Sequence, residues 1–90
     1  MDNPLLKYLA FVKTVETGSF TRAAQELDYA QSSISKMVAD LETEWNMTLL
    51  ERSKKGVCLT SAGEQILPFL RKVLQDHQKL EGQICRMKQS

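Results

Sequence analysis

The chain holds 90 residues, 42% hydrophobic and 26% charged, the composition of one globular domain rather than a disordered or two-domain chain. Twelve Lys and Arg against 11 Asp and Glu leave a net charge of +1, so a globally basic nucleic-acid binder is not indicated, although a local basic patch stays open. No apolar stretch approaches the ~18 residues of a membrane span, and no basic n-region precedes an apolar h-region. Two cysteines, Cys58 and Cys85, cannot build a disulfide framework. They show no metal-ligand spacing, and a reducing cytoplasm with buried or partly buried free thiols is expected.

Asn3 before Pro4 reads as an N-cap with proline at the first helical position, where its missing N–H costs nothing. Leu5, Leu6, Leu9, Phe11, Val12 and Val15 recur mostly at helical spacing, so a first amphipathic helix is expected over residues 4–17. Gly18 ends it in a left-handed conformation. Ser19 then caps a short second helix, from Phe20 to Asp28, with Ala23, Ala24 and Leu27 facing inward. The paired alanines imply close approach of another helix. After Asp28-Tyr29-Ala30 a third helix runs to about Trp45, with Ile34, Val38, Leu41 and Trp45 on its inner stripe. Met37 lies at the edge of that stripe, and Asn46 supplies a left-handed exit.

The period then changes. Residues 48–52 and 57–60 flank Ser53-Lys54-Lys55-Gly56 and read as a short β-hairpin with a basic tip. Thr60 or Ser61 caps the last helix, and Ser61-Ala62-Gly63-Glu64 has capping-box spacing. That helix, from about Ala62 to Met87, would be roughly 40 Å long, more than a small core can cover. Along it Ile66, Leu70, Val73, His77, Leu80, Ile84 and Met87 alternate at steps of four and three, an unbroken heptad seam. Such a seam asks for a partner helix, most simply from a second copy of the chain. Pro68 either kinks the helix or marks where it leaves the domain. His77 reads as a polar residue setting register or meeting its symmetry mate, with a pH or metal switch as the alternative.

Three helices, a basic hairpin and a long terminal helix are the parts of a mainly α winged helix-turn-helix with a dimerisation arm. Residues 1–60 would form the winged domain and residues 61–90 the arm. On the third helix Ser32, Ser35, Lys36, Ala39 and Thr43 lie opposite the apolar stripe, and Gln31 joins them at its start. Gln pairs with adenine, Ser bonds bases or phosphates, Lys reaches guanine acceptors and Ala touches a thymine methyl. A wing with Arg52, Lys54 and Lys55 puts cations beside that face, where phosphates or a minor groove would lie. Enzyme readings lack parts. The one His sits on the seam, and no phosphate loop, carboxylate pair or nucleophile motif is present, so no cofactor and no metal site is expected.

From Phe11 to Glu64 the chain resembles the N-terminal domain of LysR-type transcriptional regulators. The resemblance is carried by Phe11-Val12, Gly18-Ser19-Phe20-Thr21, Ala23-Ala24, Leu27, Gln31, Ser35-Lys36, Leu41-Glu42, Leu49, Glu51-Arg52 and Leu59-Thr60-Ser61-Ala62-Gly63-Glu64. It implies a bacterial transcription factor that binds double-stranded promoter DNA and dimerises through antiparallel linker helices, with a dimer of dimers in a full-length protein. It places Gln31, Ser32, Ser35 and Lys36 at recognition-helix contact positions, with Ser33 beside them. Thr21 and Arg22 start the helix that crosses the backbone, and Arg52 to Lys55 form the wing. Gln31 and Lys36 are expected on base edges, and Ser35, Thr21, Arg52, Lys54 and Lys55 on phosphates or groove walls.

The chain departs from the family pattern at Ala30, Ser32 and Lys36, where Ser, Pro and Arg are usual. The missing cap at Ala30 is typically worth about 1 kcal/mol, and Lys cannot copy the planar grip of Arg on guanine. Trp45-Asn46 in place of Leu-Gly and Leu50 in place of Phe read as changes in core packing. A small-molecule effector would act through a C-terminal domain that the chain lacks. Ending just past the linker helix, the chain is expected to be the DNA-binding part of a longer regulator, or a naturally short protein. The competing reading is a winged helix that binds a protein partner. The Ser, Gln and Lys face argues against it, because such a groove would show aromatic or Met anchors.

Overall fold

The structure, a computed structural model, describes residues 3–89. Four helices and one hairpin follow in the order α1 (Pro4–Thr17), α2 (Phe20–Leu27), α3 (Gln31–Trp45), β1 (Leu50–Ser53), β2 (Gly56–Leu59) and α4 (Ser61–Gln89). The start signals work as the residues dictate. Asn3 Oδ1 accepts from the N–H groups of Leu5 and Leu6 at 3.1 and 3.4 Å, and Ser19 Oγ accepts from Arg22 N–H at 3.3 Å. Three left-handed residues end the first three helices: Gly18 (φ 74°), Asp28 (φ 61°) and Asn46 (φ 52°). Asp28 is thus the exit from α2 rather than its last helical residue, since a short polar side chain tolerates that backbone. Ala30 precedes α3 with no side-chain cap.

The core is built by α1, α2 and α3, each touching the other two, with Ala23 and Ala24 buried where the helices come together. Phe11, Ile34, Leu41 and Leu49 are completely enclosed, each contributing on the order of 2 kcal/mol through removal from water. Trp45 is half-buried and packs its ring against Tyr8, centroids 5.9 Å apart. The strands pair antiparallel with Ser53 opposite Gly56, so Lys54 and Lys55 are the two turn residues. Each strand is shorter than the sequence pattern suggests at its outer end. Thr48 and Leu49 lie outside the ladder, and Glu42 Oε2 accepts from the N–H groups of Leu49 and Leu50, at 2.7 and 3.2 Å.

Helix α4 is capped by Thr60, not Ser61. The Thr60 hydroxyl accepts from Gly63 N–H at 3.0 Å and donates to the Thr48 carbonyl at 2.5 Å. The capping-box expectation for Ser61 and Glu64 is therefore corrected, with Ser61 already inside the helix. Gly63 has a different task. A Cβ there would run into the Leu49 carbonyl and lie 2.8 Å from Leu59 Cδ2, so glycine lets α4 close against the hairpin. The helix continues through Pro68 as one element to Gln89, and the molecule measures 51 × 25 × 25 Å.

The apolar residues of α4 divide into two faces. Gly63, Leu67 and Leu70 are buried and Leu74 half-buried against the domain, whereas Phe69, Val73, Leu80, Ile84 and Met87 are exposed. At 100° per residue the two faces lie about a quarter turn apart. Leu70, placed on the seam by its spacing, is only 5% exposed and belongs to the core, while Phe69, outside that seam, is 71% exposed. Both cysteines are exposed, which corrects the expectation of buried thiols. Cys58 sits on a hairpin strand whose outer side faces solvent, and Cys85 lies beyond the reach of the core.

Candidate nucleic-acid interface

Helix α3 turns its apolar stripe of Ile34, Val38 and Leu41 into the core, which leaves the opposite side free. Gln31, Ser32, Lys36, Ala39 and Thr43 are exposed on it, and Ser33 and Ser35 are half-buried at its margins. Ser33 and Lys36 also border a groove of about 290 Å³ against Asn3, Leu6 and Lys7 at the start of α1. Lys36 carries an unforeseen partner, Asp40, one turn along, with Nζ 3.5 Å from Oδ1. The lysine side chain is still 75% exposed, and an exposed pair of this kind contributes only a few tenths of a kcal/mol.

The second helix meets this face at its N-terminus. Thr21 and Arg22 are exposed in the first turn of α2, and Thr21 Oγ1 donates to Gln31 Oε1 at 3.1 Å. From the other side the hairpin supplies Arg52, whose Nη2 donates to Ser35 Oγ at 2.8 Å while its guanidinium lies 4.6 Å from the centre of the Phe20 ring. Thr21, Gln31, Arg52 and Gly56 border one cleft of about 220 Å³ between α2, α3 and the wing. Thr21, Gln31, Ser35 and Arg52 are therefore brought together, while Lys54 and Lys55 are exposed at the wing tip and Ser33 and Lys36 border the groove against α1.

The wing is fixed from beneath. Val57 N–H donates to the Gly18 carbonyl at 3.3 Å, and Gly56, at φ 122°, comes so close that a Cβ would sit 2.9 Å from the same oxygen. Ser53 Oγ donates to the Gly56 carbonyl and accepts from Lys55 N–H, both at 3.3 Å. Lys54 and Lys55 project from this tied turn as exposed cations. Charge is divided accordingly along the chain. Residues 1–50 hold 4 Lys and Arg against 7 Asp and Glu, and residues 51–90 hold 8 against 4.

Spacing alone did not reveal Phe20, Asp40 or Glu42 as parts of this surface and its support. Phe20 stood out in the sequence only as the start of the second helix, and the signal in Glu42 was its place one turn before the α3 exit. On α4, His77 is half-buried and its Nε2 lies 3.4 Å from Glu81 Oε1. Among the described residues no group of three His, Cys, Asp or Glu could hold a metal ion. No helix among them is long and apolar enough to cross a membrane.

Comparison with known proteins gives a consistent picture. The nitrogen assimilation regulatory protein Nac of Escherichia coli K12 is 48% identical over 69 residues, 77% of this chain and 22% of its own length. The uncharacterised regulator YvbU of Bacillus subtilis is 42% identical over 72 residues, 79% of this chain and 25% of its own. The chain thus spans about a quarter of the length of these relatives, both of which carry the names of regulators. Among solved structures, BenM_DBD in complex with catB site 1 DNA superposes with a TM-score of 0.88 at 31% identity, over 100% of this chain and 99% of that one. CbnR_DBD in complex with DNA gives 0.82 at 29% identity, with both chains covered completely. Residues 5–64 match the family described as bacterial regulatory helix-turn-helix proteins of the lysR family, and the chain belongs to that family.

Proposed function

We propose that this chain reads double-stranded promoter DNA as part of a bacterial LysR-type transcription regulator, with α3 in the major groove and the hairpin wing on the backbone or minor groove. The observation that carries this reading is the bond between Arg52 and Ser35, which joins the wing to the outer face of α3 as one surface. Gln31, Ser32, Ser33, Ser35 and Lys36 face the groove in this arrangement, and Thr21, Arg22, Arg52, Lys54 and Lys55 face phosphates. Helical DNA binders gain affinity from the cations and specificity from the amide and hydroxyl groups. That BenM_DBD and CbnR_DBD were each solved as a complex with DNA supports the DNA-binding reading.

Residues 1–60 act as the reading domain and residues 61–90 as the arm. The exposed line through Phe69, Val73, Leu80, Ile84 and Met87 supports homodimerisation, with Ile66 and His77 at its margin. The protein works in the cytoplasm and performs no catalysis. Equilibrium binding to duplexes selected from a random pool tests the reading. Affinity should fall steeply between about 50 and 200 mM salt through counterion release. Lys54→Ala with Lys55→Ala should weaken binding to every duplex, whereas Gln31→Ala should relax base preference at one position of each half-site. If neither variant changes binding to selected duplexes, α3 and the wing are not the reading surface.

A further inference from the structure

Thr21 carries a hydroxyl that its own helix does not use. Thr14 and Thr17 donate theirs to carbonyls one turn back, at Ala10 and Lys13, over 2.8 and 2.9 Å. That is the usual outlet for threonine within a helix. Thr21 is the second residue of α2, and the residue four positions before it belongs to α1. Its hydroxyl crosses instead to α3 and donates to Gln31 Oε1.

A glutamine amide presents an acceptor oxygen on one arm and an NH₂ donor on the other. Bidentate pairing with adenine needs both arms turned to the base, with Oε1 accepting from N6 and Nε2 donating to N7. Here Thr21 takes one of the two lone pairs of Oε1 and turns that arm toward α2, so the arm pointing away from α2 is the Nε2 donor. Guanine offers two adjacent acceptors, N7 and O6, to such a group, whereas adenine sets its own N6 donors against it.

We propose that Thr21 is a specificity-determining positioning residue, which commits Gln31 to donating and makes guanine, not adenine, the base opposite it. This rests on the DNA reading given above. Selection from random duplexes with the whole chain tests it, using wild type, Thr21→Val, Thr21→Ser and Gln31→Ala. The position read by Gln31 is the one whose preference disappears in Gln31→Ala. Wild type and Thr21→Ser should prefer guanine there by about tenfold, and Thr21→Val, which keeps the shape but frees Oε1, should move the preference to adenine. Adenine selected by wild type, or an unchanged preference in Thr21→Val, overturns the proposal and leaves the DNA reading intact. A Thr21→Val variant that loses affinity for all sequences while keeping the guanine preference also overturns it, since the hydroxyl then acts on the backbone alone. No sequence enriched by wild type would instead overturn the DNA reading itself.

Discussion

Arg52 of the wing donates to Ser35 of α3 at 2.8 Å and at the same time lies over the ring of Phe20, the first residue of α2. One side chain thus ties three elements at the point where they present polar groups outward. A planar guanidinium is suited to this, because it stacks through its face and donates through its edge. Arg52→Ala should lower affinity for every duplex and reduce the slope of log K against log salt by about one. Arg52→Lys keeps the charge but loses both the stack and the fork. It should retain the wild-type salt slope and still bind several-fold more weakly. A lysine variant equal to wild type in anisotropy titrations would show that the tie is dispensable.

If α4 is the dimer arm proposed above, its two faces separate folding from assembly. Leu70 is a core residue, so Leu70→Ala should cost about 2–5 kcal/mol in denaturant unfolding, as a cavity in a packed interior does. Leu80 lies beyond the domain on the exposed line. Leu80→Glu should leave the unfolding of the domain nearly unchanged and yield monomers in sedimentation at concentrations where wild type is dimeric. An unaltered mass for Leu80→Glu would remove α4 as the dimer arm.

Two glycines of the same helix should respond in opposite directions. Gly63→Ala places a methyl against the Leu49 carbonyl and should destabilise by about 1–3 kcal/mol, because backbone cannot step aside as a flexible side chain can. Nothing lies within 4 Å of a Cβ added at Gly82. Gly82→Ala should stabilise by about 0.5–1 kcal/mol through helix propensity alone. Thermal unfolding of the pair checks both signs.

Glu42 holds the entry to the hairpin by accepting from two successive backbone N–H groups. Removing the acceptor in Glu42→Ala leaves both donors without it and should cost about 1.5–3 kcal/mol. Glu42→Gln keeps one carbonyl oxygen in place and should lose less. Equal losses in the two variants would argue that the negative charge of the carboxylate matters and that a neutral oxygen in the same place cannot hold these donors.

Most of the fold was legible in local chemistry. Asn3-Pro4, Gly18, Ser19 and Asn46 each impose a start or a stop through their own backbone preferences, and the structure uses all of them. The apolar period likewise identified the inner stripe of α3. What spacing cannot supply is the identity of the surface on the other side. Heptad spacing groups residues on one line but does not show where the domain lies beneath it, so Leu70 is buried while Phe69, about 100° away around the helix, faces solvent. Thr60, Gly63 and Glu42 act on residues distant in sequence, and no local pattern shows such partners. The same holds for the ties among Thr21, Gln31, Ser35 and Arg52. The residues were visible, but their pairing was not.

Helix α4 runs without a break from the core contact of Leu67 and Leu70 to the exposed stretch ending near Gln89. No loop separates the reading domain from its arm, so the arm acts as a fixed lever. In a pair joined through such levers, the gap between the two reading surfaces is a length set by helical rise, about 1.5 Å per residue. The operator is then measured as well as read. Five base pairs added between half-sites would turn one of them to the far side of the duplex, a change the stiff arm cannot follow.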